Sequence, residues 1–156
     1  MYMHLFFMSD SLKPVLPCMC ANLRRAARAV TQLYEAELRP TGLSSTQFSI
    51  LQALSFAGEL TQGRVGEVLA MDSTSLTRTL AIMSRHGWVE KRRGEDRREW
   101  RLGLSRAGEK QLNAALPLWE RAQSRLRQKL GRSQSNELSR LMNHVTNSVA
   151  GIAAKE

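Results

Sequence analysis

Apolar positions along the chain mark out six helical stretches and one hairpin. Over residues 18–38, Met19, Leu23, Ala27, Val30, Tyr34 and Leu38 return every three to four positions, the period of one helix face. Arg24, Arg25, Arg28, Gln32 and Glu35 occupy much of the remainder. Pro40 and Gly42 end the stretch, and Pro17 suits a first helical turn, where its missing N–H is no loss. Ser44 or Ser45 caps a second helix bearing Phe48, Leu51 and Leu54 and ending near Gly58. A short third helix, Gln62–Leu69, places Val65, Val68 and Leu69 on its apolar side. Ala70-Met71 is a turn, and Asp72 stands where an N-cap belongs. From Ser73 to about His86, Leu76, Leu80 and Met83 form the buried face of a fourth helix, closed by Gly87 in the left-handed position.

The period then shortens to two. Trp88-Val89-Glu90-Lys91-Arg92 alternates as a half-buried strand does, and Gly94-Glu95-Asp96 is turn chemistry. Residues 99–104 form the returning strand with Trp100, Leu102 and Leu104 on one side, although Gly103 favours a bulge. Ser105 caps a long helix toward Leu130 with the stripe Leu112, Leu116, Trp119, Leu126 and Leu130. Pro117 falls inside it, and an interior proline costs about 3 kcal/mol in an isolated helix. The stripe continues across Pro117, which predicts one kinked helix rather than two. Gly131 stops it, Ser133 or Ser135 caps the last helix, and Leu138, Leu141, Val145, Val149 and Ile152 form the final seam. Pro14 and Pro17 discourage regular structure in the flexible tail, residues 1–17.

Charge sharpens this outline. The chain of 156 residues carries a formal net charge of +9, which attracts phosphate polymers or acidic membranes. Between residues 85 and 106, eight Lys/Arg face four Asp/Glu, and the excess gathers at the hairpin tip in Arg92, Arg93, Arg97 and Arg98. No apolar run reaches the length of a membrane span. The apolar opening MYMHLFFM lacks a basic start and a small-residue cleavage site, so it does not read as a signal peptide. Two cysteines close together make no disulfide framework, and the cytoplasm is the expected location.

Candidate chemistry concentrates in residues 61–104. The exposed side of the fourth helix bears Ser73, Thr74, Thr77 and Arg78, side chains suited to base edges and phosphates in a major groove. The same residues also describe an ordinary solvated face. Thr61 and Gln62 open the preceding helix, whose N–H groups can hold a phosphate. Arg98, with Arg97 beside it, is the candidate for a narrow minor groove. Asp96 repels DNA and is better placed to orient Arg98 through a carboxylate–guanidinium pair. Arg92, Arg93 and Arg101 read as backbone or surface charges. His4, His86 and His144 have no ligand spacing with Cys, Asp or Glu, so neither metal nor other cofactor is expected. No phosphate loop or nucleophile motif is present, which argues against an enzyme.

The ordered set Thr61-Gln62, Asp72-x-x-x-Leu76-Thr77-Arg78-x-Leu80, Gly87-x-Val89, Asp96-x-Arg98 and Leu104-Ser105-x-x-Gly108 resembles the winged helix-turn-helix of the MarR family of transcription regulators. Ser105 stands where that family usually has Thr, and the resemblance runs from about Cys18 to the C-terminus. It implies a mainly α (α+β) fold with a winged helix-turn-helix over residues 44–104. Residues 18–43 and 105–156 would form a helical dimerisation region. It further implies a homodimer on a palindromic double-stranded DNA operator, repression rather than activation, and release by a small-molecule effector. The family pattern gives Asp96 and Arg98 the same two roles. Some members sense oxidants through a thiol near the start of the first helix, and Cys20 lies at a similar position, with Tyr34 matching a tyrosine that contacts that thiol. Arg24, one turn from Cys20, favours a thiolate. Against this, the second tyrosine expected four residues after the thiol is replaced by Arg24, and Cys18, two positions from Cys20, does not share its helix face. A redox sensor and a non-specific architectural protein are the alternative readings.

Overall fold

The computed structural model describes residues 17–94, 96 and 99–149, so the expected tail lies, apart from Pro17, outside the described residues. Helix α1 spans Met19–Leu38, with Cys18 at its N-cap. A single 3-10 turn, Arg39–Thr41, follows and ends at Gly42, whose φ of +73° suits a residue without Cβ. Ser44, rather than Ser45, caps α2 (Ser45–Ala57). Its hydroxyl accepts the Gln47 N–H, and Gln47 Oε1 accepts the Ser44 N–H in return. The remaining elements are β1 (Leu60–Thr61), α3 (Gln62–Leu69), α4 (Ser73–Arg85), β2 (Val89–Arg93), β3 (Trp100–Leu104), α5 (Arg106–Leu130) and α6 (Arg132–Val149).

Three details differ from the sequence pattern. Two residues before α3 form β1, which pairs antiparallel with β3 and makes a three-stranded sheet in the order β1-β3-β2. The hairpin begins at Val89 because Trp88 is occupied elsewhere: its N–H donates to Met83 and its carbonyl accepts from Ser105. Helix α6 starts directly after Gly131, whose carbonyl accepts the Ser135 N–H, so Ser133 and Ser135 sit inside the first turn rather than capping it. The long helix runs unbroken through Pro117, which is exposed.

One core joins these elements. Leu38, Leu43, Phe48, Leu51, Leu54, Val65, Leu76, Leu80, Met83, Val89, Leu102, Leu112 and Ala115 all belong to it. Each fully buried leucine contributes about 1.5–3 kcal/mol of apolar burial. The cluster therefore links the end of α1 and the start of α5 to the central helices and sheet. Close to it, Gly108 approaches the chain so tightly that a Cβ would stand 2.0 Å from the Trp88 carbonyl oxygen. Ser105 caps α5 through the Gly108 N–H, and its own hydroxyl donates to the Gly87 carbonyl. These contacts fasten the start of α5 to the base of the hairpin.

The far end of the molecule is different. No described residue of α6 is buried, and Leu138, Leu141, Met142, Val145 and Val149 stay 37–52% exposed. Met19 and Leu23 of α1 are exposed as well.

Candidate nucleic-acid interface

The helix pair α3–α4 is built from local signals. Thr61 caps α3 by accepting the Arg64 N–H, and Arg64 in turn pairs with Glu67 at 2.7 Å. The α3–α4 turn passes through Ala70 at φ +50°, a left-handed position that costs a residue with a Cβ roughly 1–2 kcal/mol. Gly66 makes room for it, since a Cβ there would lie 3.2 Å from the Met71 carbonyl. Asp72 then caps α4 by accepting the Ser75 N–H at 2.9 Å. That backbone hydrogen bond is the main reason the exposed Asp72 carboxyl titrates below its ordinary value.

Leu76, Leu80 and Met83 anchor α4 in the core, which turns Ser73, Thr74, Thr77 and Arg78 outward; all four are exposed. Gln62 is brought to them across the turn. Its side-chain amide donates to Thr77 Oγ1 at 2.8 Å, and Thr77 Oγ1 donates to the Ser73 carbonyl at 2.7 Å. Gln62 and Thr77 thus staple α3 to α4, a role that the spacing of fifteen residues does not announce. Arg78 makes no ion pair among the described residues.

Beyond α4 the hairpin projects as a wing. Its turn is closed by the Glu99 N–H donating to Asp96 O at 2.9 Å and the Gly94 N–H donating to Glu99 O at 3.0 Å. Asp96 is exposed, while Arg97 and Arg98 lie outside the described residues. Arg92 bridges Glu59, at 3.0 Å, and Glu90. Arg101 pairs with Glu99 at 3.0 Å, and the Arg93 guanidinium lies over the Trp100 ring, 4.9 Å from its centroid. Trp100 remains 51% exposed, although it shares its side of the strand with the buried Leu102.

Cys18 and Cys20 are both exposed. Tyr34 lies on the same helix fourteen residues after Cys20, about 21 Å along the axis, so the two do not meet within one subunit. Burial pushes the Tyr34 hydroxyl up, opposed by the Arg127 charge. A cleft of about 610 Å³ opens between α5 and α6, lined by Trp119, Gln123, Arg127, Arg132, Ser135 and Ser139 among others. No cluster of three or more His, Cys, Asp or Glu is gathered among the described residues. No helix among them is long and apolar enough to cross a membrane.

A model of the MarR family matches residues 41–99, the stretch that holds α2, the α3–α4 pair and the first strand of the wing. The solved structure of the M. tuberculosis transcriptional regulator MosR in complex with DNA is 33% identical, with a TM-score of 0.77 over 89% of this chain and 99% of that one. The chain belongs to the MarR family. It is also 34% identical over 89 residues to a curated relative, the uncharacterized HTH-type transcriptional regulator YwoH of Bacillus subtilis. That match takes in 57% of this chain, which spans 65% of the length of YwoH. The fold is also that of an E. coli MarR variant complexed with operator DNA, with a TM-score of 0.74 at 22% identity over 81% of this chain and 92% of that one. MarR membership accounts for the helix-turn-helix, the wing and the long terminal helices as one architecture.

Proposed function

We propose that the protein is a sequence-specific, double-stranded DNA-binding regulator of transcription. In this reading it is a homodimer on an inverted-repeat operator and a repressor released by a small-molecule effector. The observation that carries the reading is the exposed polar face of α4, set on a rigidly capped helix beside a basic wing. Arg78 grips guanine O6 and N7, and Ser73, Thr74 and Thr77 fit base edges and phosphates around it. Thr61 and Gln62 bring the start of α3 to the DNA backbone. Because the Thr61 hydroxyl is engaged in capping, the backbone N–H groups of α3 make that contact. At the wing tip, Arg98 enters the minor groove with Arg97 alongside, and Asp96 orients Arg98.

Pairing through the exposed seams of α1 and α6 gives a two-fold dimer whose recognition helices lie about 34 Å apart. Release follows when an effector binds a dimer geometry that does not match this spacing, and operator affinity falls by the differential binding energy. The α5–α6 cleft has one indole, two guanidiniums and the Glu120 carboxylate at its walls, a net positive lining that fits a small aromatic anion. The alternative to effector release is oxidation at Cys20, with Cys18 two residues before it; both thiols are exposed, but the Tyr34 expected beside Cys20 lies far along the helix.

The deciding experiment is a selection on random duplex DNA at near-physiological salt. The expected outcome is an inverted repeat with half-site centres about ten to eleven base pairs apart. On that operator Arg78→Ala loses about 1–3 kcal/mol and relaxes preference at one base pair. Recovery of no motif, with binding that vanishes steeply as salt rises, identifies an architectural DNA binder instead.

A further inference from the structure

The end of α1 carries two carboxylates that act on different neighbours. Glu35 and Glu37 stand two positions apart, about 200° around the helix axis, so they leave it on opposite sides. Glu35 Oε1 accepts the Ser45 N–H at 2.8 Å and the Ser45 hydroxyl at 2.7 Å. Ser45 is the first residue of α2, and the leading N–H groups of a helix have no partner within it. Glu35 therefore ties α1 to the start of the DNA-reading half. Glu37 turns the other way, and its side chain is only 12% exposed. Its Oε1 accepts from Arg125 and its Oε2 pairs with Arg121 at 3.9 Å. These two arginines are one turn apart on α5 and share a side of it.

Helix α5 is held to the end of α1 at a second place. The Gln111 side-chain amide donates at 2.6 Å to the Thr41 carbonyl, in the 3-10 turn that follows α1. Gln111 and Arg121 are ten residues apart, about 15 Å along the helix. The shared core reaches only the first of these attachments. Leu112 and Ala115 belong to it, and Leu116, Leu118 and Trp119 pack against it, whereas Arg121 and Arg125 lie past its end. A helix fastened at one point can swivel about it; fastened at two, it keeps one direction. Glu37 supplies the second fastening where the central core has run out.

The other pairs named above do something different. Arg64 with Glu67, Arg92 with Glu59 and Glu90, and Arg101 with Glu99 all join residues of the helix-turn-helix and wing. The pairs of Glu37 cross between α1, whose start is an exposed apolar seam, and α5, which leads to the seam of α6. Because both arginine side chains are largely exposed, the clamp adds little to overall stability. What it controls is direction.

We infer that Glu37 is a positioning residue for operator recognition: its clamp on Arg121 and Arg125 sets the angle between α1 and α5, and so the distance between the two recognition helices of the dimer. This rests on the dimeric DNA-binding reading above.

The test is equilibrium binding of the full chain to three kinds of duplex: the selected inverted repeat, the same repeat with its half-sites moved one or two base pairs closer or farther, and a duplex with one half-site scrambled. Wild type is measured first. If it yields no inverted repeat, the dimeric DNA-binding reading and this inference fall together; if it binds the repeat at every spacing alike, this inference alone falls. Glu37→Gln should bind the selected spacing about five- to tenfold more weakly and lose a similar factor of preference over the shifted duplexes. Its affinity for the single half-site should stay within about twofold of wild type, since α4 and the wing are untouched. The charge exchange Glu37→Arg with Arg125→Glu should restore the spacing preference, and Glu37→Arg alone should not. A Glu37→Gln protein with the wild-type spacing preference would overturn the assignment. So would an equal loss on the single half-site, which marks a general weakening of the fold, or a monomer in sedimentation velocity, which makes Glu37 an assembly residue instead.

Discussion

At the scale of single residues, Gly108 is the described glycine that leaves least room for a side chain. It has no turn to make; it is glycine because the Trp88 backbone carbonyl passes 2.0 Å from where a Cβ would stand. Neither partner can rotate away, since the carbonyl also accepts the Ser105 N–H and the Ser105 hydroxyl is tied to Gly87. Gly108→Ala should therefore lose about 1–3 kcal/mol of stability, the usual scale of forced overpacking. Denaturant melts measure this directly, and a variant as stable as wild type would refute the steric account. Sequence made the Ser105–Gly108 spacing visible as a motif, but not its cause, because Trp88 is distant along the chain. Local partnerships were more legible. Asp72 and Ser105 act on groups three residues away and were readable as caps.

At the scale of elements, α3 and α4 follow from periodicity and capping, and α4 carries a measurable pH signature. The Ser75 N–H holds the folded Asp72 carboxyl below its ordinary value of 3.8. A lowered folded pKa means the charged cap contributes stability above the unfolded value, and that contribution is lost as pH falls through the folded one. The stability difference between wild type and Asp72→Ala should thus narrow from neutral pH to about pH 2. A difference constant across that range would exclude the charge as its source. The elements that sequence missed are those whose cause is non-local. Strand β1 is two residues long, too short for any alternation, and exists only because β3 lies beside it. Helix α6 begins earlier than its serines suggested because Gly131 provides the first acceptor itself. Trp100 shares its parity with the buried Leu102, but the strand outruns the core before reaching it. At the candidate site, the outward face of α4 was legible from the buried positions opposite it. The Gln62–Thr77 bridge and the pairing of Arg92 were not, since each depends on how separate elements meet.

At the scale of the whole molecule, the core and the terminal helices obey different rules. The core is continuous from α1 to α5, whereas no described residue of α6 is buried. An apolar seam of this kind is expected to be covered by a second copy. Val145→Glu should place a charge in that seam and shift the protein to a monomer in sedimentation velocity, with operator affinity lost in step because one half-site must then act alone. A Val145→Glu protein that stays dimeric, or a monomer that binds the inverted repeat as tightly as wild type, would place the interface elsewhere.

Helix α5 connects the two regimes. Its 25 residues make a rod about 37 Å long, pinned at its start beneath the wing by Ser105 and Gly108 and carrying α6, whose seam is proposed to pair, at its other end. Such a rod converts angle into distance: a tilt of about 5° at one end displaces the other by about 3 Å. That is close to the 3.4 Å rise of one base pair along a DNA strand. A tilt of that size near Leu130 is therefore large enough, in the proposed complex, to move a recognition helix out of register with its half-site.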